Sequence, residues 1–455
     1  MLSPRAAAMP RMIGAVAGAV LMIAAGLPIT SCHRGAGGGG RSDSEPAAEW
    51  STPAGAAMMA LDRAPVQAWQ RSAVDLGLPA DTGLGRVFAT SGDNAYLFTS
   101  GCIGRCGDRP IRNWVYGIDS RTGAPLFAPV ELTAAFSGTA RCYSNGPRLA
   151  VCVGSDQDGS IAVVDLQRGV LNFAGVTDWK ALEVWGSRPV VNEPDGFYGI
   201  GAHGERTWHY PGRGAFIGVK FDDPSDDDQR PEVAVRFVRD ATPAYRVVSL
   251  LDGADRTPVP PAGIELKAAA AYTGGFAYQY RNRDGSVGVL LYDDTGRLLN
   301  RVPMARNVLW DNPVLPTVLA GAELTLYRAS GEPVITVPAA QQVPSLRVAG
   351  DTLFVWQRPD GAGGALWKTY DLSTGRAGST CRLDMYYDGG NGYLGTDGHT
   401  VVDKGAGGMD LVGTDLTGCR TVWTVPVGPI ASACRVAGRI VVVTPEHLTA
   451  LRQPD

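Results

Sequence analysis

An apolar strand ending in Asp, a short turn closed by Gly, and a second apolar strand recur as a unit along this 455-residue chain. That recurrence limits the fold more than any other feature does. The clearest copy is Tyr116-Gly117-Ile118-Asp119-Ser120-Arg121-Thr122-Gly123, followed by Pro125-Leu126-Phe127. It returns as Val163-Val164-Asp165-Leu166-Gln167-Arg168-Gly169, Leu291-Tyr292-Asp293-Asp294-Thr295-Gly296, Thr369-Tyr370-Asp371-Leu372-Ser373-Thr374-Gly375 and Gly413-Thr414-Asp415-Leu416-Thr417-Gly418, with weaker copies over 198–204, 249–253 and 326–331. The turn glycines fall at 123, 169, 204, 253, 296, 331, 375 and 418, a mean step of about 42 residues. A step of that size holds four short strands, which is one blade of a β-propeller. The Asp carboxylate is suited to accept backbone amides two residues on and the Gly to take positive φ, so both are architectural residues.

The fold expected is therefore all-β, a single propeller. The run 434–451 reads as three strands, and Val66-Gln67-Ala68-Trp69-Gln70-Arg71-Ser72-Ala73-Val74 is suited to supply the fourth, closing the ring and removing an open edge. Eight turn hairpins and this composite unit make one more than common propellers hold. Two steps, Gly169 to Gly204 and Gly296 to Gly331, span only 35 residues, and one of them is expected not to be a full blade. The reading is about eight four-stranded blades, with seven as the alternative.

Composition agrees: 59 Gly and 31 Pro suit many strands joined by tight turns. Lysine occurs only at Lys180, Lys220, Lys267, Lys368 and Lys404, and arginines are interspersed with acids, so no basic face for nucleic acid is visible. At the N-terminus, Arg5 and Arg11 precede an uncharged run, 12–29, that leads into Ile29-Thr30-Ser31-Cys32. This resembles a bacterial lipobox, which implies lipidation of Cys32 and a location on the outer face of the cell membrane. A transmembrane anchor is the rival, but the run is barely long enough and is broken by Gly26 and Pro28. Residues 1–31 are read as signal peptide, 32–64 as a flexible Gly/Ser/Pro tether and 65–455 as the propeller.

Export makes disulfides the expected fate of the remaining cysteines. Cys102 and Cys106 can close a small loop, and Cys142 and Cys152 flank Ser144-Asn145-Gly146-Pro147, a turn that would set them on facing strands. Cys381, Cys419 and Cys434 allow one further bridge and one thiol, with the choice open. No metal site is expected from these residues, since the chain holds only five His.

The repeats resemble those of quinoprotein-type (PQQ-like) propellers, whose units read apolar, Ala or Tyr, x, Asp, x, x, Thr-Gly, x, x, x, Trp. The stretch 370–375 lacks the Trp, and Thr414 to Trp423 keeps it. Over residues 66–452 the chain looks like extracytoplasmic lipoproteins of the outer-membrane assembly factor BamB type, and its Arg, Ala and Gly usage looks actinobacterial. The enzymes of that family hold pyrroloquinoline quinone over Ca²⁺, in one class beside a Cys-Cys disulfide, and no Cys-Cys pair exists here. Gly199-Ile200-Gly201-Ala202-His203-Gly204 matches a dinucleotide motif literally but leads into Glu205-Arg206-Thr207-Trp208 inside a β repeat, so it reads as a hairpin. The acidic run 222–228 and Asp156-Gln157-Asp158-Gly159-Ser160 read as surface loop and turn ahead of Ca²⁺ sites, and Gln167 stands where a Ca²⁺ loop needs Glu. Trp310, Trp356, Trp367, Tyr386 and Tyr387 are candidate binding aromatics, for each of which packing is the simpler fate. The function expected is a membrane-tethered, non-catalytic scaffold for a protein or cell-envelope component, without cofactor. The alternatives are a PQQ/Ca-dependent dehydrogenase and a glycan-binding surface protein.

Overall fold

The computed structural model describes residues 58–455 apart from 102–110, 133–135, 137, 139, 155–158, 180, 186–187, 213, 218–230, 239–243, 306, 310–313, 339–344, 358–365, 384–392 and 406. The stretch read as signal peptide, most of that read as tether, Cys32, Cys102, Cys106, the acidic run 222–228, Asp156, Asp158, Trp310, Tyr386 and Tyr387 lie outside the described residues.

Nine antiparallel sheets follow one another along the described chain. They span 86–131, 140–176, 181–211, 214–249, 264–303, 307–338, 346–382, 393–426 and 432–452, and are numbered here as blades 1 to 9. Eight sheets have four strands in simple up-and-down order, and blade 4 has three. In blade 9 the fourth strand is Val66–Arg71, hydrogen-bonded to Leu448–Arg452, so the N-terminal strand completes the last blade. The first strand of blade 1, Arg86–Ser91, touches the first strand of blade 9, Ser432–Val436, which shuts the ring.

The expected count of eight is therefore corrected to nine. Both 35-residue steps are complete blades: Gly204 lies in blade 3 and Gly331 in blade 6, each with four strands. They are short for different reasons. In blade 6 the first two, Asn307–Leu309 and Thr317–Ala320, are three and four residues long, and in blade 3 the hairpin after Glu193 turns through only two residues before Gly196.

Nine buried hydrophobic clusters, one at each junction, hold the ring together. Between blades 6 and 7, for example, Leu324, Leu326 and Ile335 pack on Leu346, Leu353 and Tyr370. Alternation gives each central strand an apolar residue on both faces, because both faces are covered by neighbours.

The turn unit does a second job beyond reversing the chain. Asp119 Oδ1 accepts the Arg121 and Thr122 amides at 2.7 and 3.3 Å, and Gly123 follows with φ of 70°. Trp69, on the outer strand of blade 9, lies against that Gly, and its indole donates to Ser120 O at 2.9 Å. Phe127 sits likewise on Gly169, Phe173 on Gly204 and Trp208 on Gly253. Each of these three stands four residues after its own blade's turn Gly, which explains the x-x-x-aromatic spacing in the sequence. A Cβ at Gly123 would come 2.7 Å from the Trp69 ring. Gly123→Ala should therefore lose about 2–4 kcal/mol from left-handed backbone strain and overpacking together, and the midpoint of urea unfolding would report it.

Blade 8 departs from the spelling. Gly418 does not take positive φ; Cys419 does, at 54°, and it is bridged to Cys381 on the outer strand of blade 7. Trp423 is then four residues past the residue that turns, and its indole donates to Leu61 O at 2.7 Å. Leu61 is fully buried, and its own amide donates to Asp397 Oδ2 at 2.6 Å. Met58 is buried against Gly395. The segment 58–61 thus fills, over blades 8 and 9, the place that a turn fills elsewhere.

Four outer strands end in proline, at Pro211, Pro303, Pro338 and Pro426. A residue without N–H there discourages further strand pairing at the rim.

Candidate partner-binding rim

Blade 4 is where the regular pattern fails. Its strands are Gly214–Ile217, Val233–Val238 and Ala244–Ser249. After Gly253 the chain begins a fourth: Ser249 N donates to Ala254 O at 2.9 Å, Arg256 N to Val247 O at 2.8 Å, and Val247 N to Thr257 Oγ1 at 2.9 Å. Then come Pro258, Val259, Pro260 and Pro261, three of which carry no amide hydrogen, and the ladder stops. Continuing the Val248–Asp255 bridge would set Pro258 opposite Tyr245. The Tyr245 carbonyl instead accepts the Tyr278 hydroxyl of blade 5 at 2.9 Å.

Apolar side chains are exposed on this blade and the next. Val259 is 91% exposed and Leu251 58%, and on neighbouring blade 5 Met304 is 78% exposed with φ of 58°. A shallow open cleft lined by Ala262, Gly263, Asn282, Arg283 and Asp284 lies where the segment enters blade 5.

The blade 3 side is aromatic and charged. Tyr198 stacks on His209 with ring centroids 4.4 Å apart, and the Arg206 guanidinium lies over Tyr198 at 4.6 Å. The Tyr198 hydroxyl donates to Asp195 at 2.6 Å, a bond that holds the phenol above and the carboxyl below their ordinary ranges. Tyr210, pushed up to about 12 by burial, donates to Asp255 at 2.9 Å and ties blade 3 to the broken strand. Beneath, Arg236 is fully buried: one Nη donates to Pro211 O at 2.9 Å and the other to Gly212 O, with the guanidinium over Phe197 and Tyr210. This buried cation fixes the blade 3 to 4 junction and keeps the rim above it in place.

Exposed apolar side chains on blades 4 and 5, with Arg and Tyr on blade 3, suit contact with another macromolecule better than enclosure of a small substrate. The residues singled out from sequence are placed elsewhere. Cys142 and Cys152 face each other on the first two strands of blade 2 and are bridged. Of the three remaining cysteines Cys381 and Cys419 form the inter-blade bridge, and Cys434 is a buried thiol in the blade 9 to 1 junction. Asp293 and Asp371 hold turn amides, and Gly201 N donates to Glu205 O inside the blade 3 hairpin. Trp356 and Trp367 are paired on blade 7. Among the described residues no three His, Cys, Asp or Glu side chains converge to hold a metal. Sequence reasoning missed the rim itself; the signal was Pro-Val-Pro-Pro standing where an outer strand was due.

Comparison with known proteins bears on the count and the family. A family model described as a conjugation-associated 9-bladed β-propeller domain matches residues 42–454. An uncharacterized protein of Mycolicibacterium smegmatis (strain MKD8) is 28% identical over 413 residues, covering 83% of this chain and 82% of that protein. Among solved structures, the computationally designed Ika8 protein matches at 15% identity and TM-score 0.33, covering 68% of this chain and 94% of that one. BamB from Moraxella catarrhalis matches at 10% identity and TM-score 0.36, covering 86% and 100%. At those scores neither structure supports an argument about this chain.

Proposed function

The chain belongs to the family of conjugation-associated nine-bladed β-propeller domains, and from that membership we propose that it is a lipid-anchored extracytoplasmic scaffold that binds a protein of a conjugation apparatus, without catalysis of its own. The observation that carries the reading is the interrupted outer strand of blade 4, whose proline run leaves Val259 in solvent, with Met304 exposed on the next blade and the Arg206–Tyr198 pair on the preceding one. Exposed apolar groups rimmed by polar residues are what contact sites for other macromolecules are made of. Cys32 is proposed as the acylated residue, holding the propeller on the outer face of the membrane through the segment that precedes residue 58.

Two outcomes are expected. The double variant Val259→Asp with Met304→Asp should fold with an unchanged melting temperature, since both side chains are exposed, yet lower DNA transfer between mating cells at least about tenfold, the effect of about 1.4 kcal/mol at a contact. Transfer at the parental frequency would remove the rim from consideration. Cys32→Ser should move the protein from the membrane to the soluble fraction on cell fractionation, because the acyl chains supply about 0.8 kcal/mol per buried CH₂. Continued sedimentation with membranes after detergent-free washing would count against the anchor.

A further inference from the structure

A strand at the edge of a sheet presents unpaired N–H and C=O groups, and proline or charge there discourages another chain from pairing with it. Seven of the eight outer strands in this ring carry one or the other. Pro211, Pro303, Pro338 and Pro426 end four of them, and Glu131, Arg382 and Arg71 stand in the other three. The outer strand of blade 2, Val170–Val176, reads Val-Leu-Asn-Phe-Ala-Gly-Val and holds neither. Its side chains also reach solvent: Val176 is 73% exposed and Leu171 37%, and Ala174 is exposed between them.

The register fixes which backbone groups of this strand face outward. Thr177 N donates to Gly159 O at 2.8 Å, and residues 160–163 continue opposite 176–173 without a shift. Hydrogen-bonded and non-hydrogen-bonded pairs alternate along an antiparallel ladder. Gly175 and Phe173 therefore bond inward to the third strand, Ser160–Asp165, while the N–H and C=O of Ala174 and Val176 point away from it. Among the described residues no other backbone group bonds to them.

The composition of the edge indicates what can pair with it. Antiparallel pairing of a strand with its own copy about a twofold axis presents each edge to itself, so a charged edge repels its partner and an uncharged one does not. With the axis at Gly175, Ala174 of each copy stands opposite Val176 of the other, and both residues of each pair offer their outward groups, so each pair exchanges two N–H···O=C bonds. Asn172 then comes opposite Asp178, which sets an amide against a carboxylate. We propose that the outer strand of blade 2 pairs in this way with the same strand of a second copy of the chain, joining two propellers edge to edge through one continuous sheet. The proposal is independent of the partner assigned to the blade 4 rim, because the two lie on different blades and either can fail alone.

Sedimentation equilibrium of the full chain in density-matched detergent tests it. The protein mass is expected to rise from one chain toward two between about 1 and 100 μM, the range of a small interface. Ala174→Pro removes an outward N–H that the ladder does not use, and Val176→Lys places a charge at an exposed position of the edge. Each variant should keep the parental melting temperature and raise the dimer dissociation constant at least about tenfold. Leu298→Lys, on the blade 5 outer strand that ends in Pro303, should leave the constant unchanged. A parent that stays monomeric over the whole range, a folded Val176→Lys variant that dimerises as the parent does, or an equal loss in Leu298→Lys would overturn the pairing.

Discussion

Deleting residues 1–71 is expected to abolish cooperative folding of the whole ring, although 384 of the 455 residues remain. The deleted piece holds the outer strand Val66–Arg71, Trp69 on the blade 1 turn, and Leu61 beneath Trp423. Removing a buried Trp side chain alone costs about 3–5 kcal/mol, and a domain's total stability is about 5–15 kcal/mol. Losing the strand as well leaves the edge of Leu448–Arg452 unpaired next to Ile440, Val441, Val442 and Val443, an apolar edge prone to self-association. A chain starting at residue 58 should by contrast behave as the parent does. Urea melts followed by tryptophan emission, with sedimentation velocity to detect oligomers, separate the two. A monomeric 72–455 chain with the parental midpoint would show that blade 9 does not need its borrowed strand.

Replacing Cys419 is the second large effect. The Cys381–Cys419 bridge spans 38 residues of sequence and joins two blades, whereas Cys142–Cys152 spans 10 within one hairpin. Loop-closure entropy assigns about 4 kcal/mol to the first and about 3 kcal/mol to the second. Cys419→Ser should therefore destabilise more than Cys152→Ser, and reducing agent should have no further effect on the blade 7 to 8 junction in that variant. Position 419 also turns the chain at φ of 54°. Cys419→Gly, which loses the bridge but relieves the backbone, should recover about 1 kcal/mol of the deficit seen with Ser. Equal midpoints for the Ser and Gly variants would mean that the turn carries no strain.

The ring was legible in the sequence because its repeat is local. Asp119, Asp165, Asp293, Asp371 and Asp415 all cap turns with their carboxylates, and seven of the eight glycines take the positive φ their spacing implied. The closing strand was legible too, since the last unit reads as three strands and lacked a fourth, which Val66–Arg71 supplies. The blade count was not legible from spacing, because a 35-residue step holds four strands only when strands or turns are unusually short. Blade 6 is short through trimmed strands and blade 3 through tight turns, which a 35-residue spacing alone does not distinguish from a missing blade. The Gly418 turn was misplaced by one residue because Cys419, held by its bridge, tolerates a conformation usually left to Gly. The blade 4 rim was not read because a broken strand has no periodicity to detect, and the Trp356–Trp367 pairing depends on a register that only the folded sheet fixes.

The borrowed strand has a mechanical consequence. A pull from the N-terminal side reaches the Leu61 contacts with Asp397 and Trp423 before it reaches the ladder. It then acts along Val66–Arg71, so the bonds to Leu448–Arg452 share the load and must yield together instead of unzipping singly. Tension on the N-terminal segment would thus be borne by the same joint that keeps the circle shut.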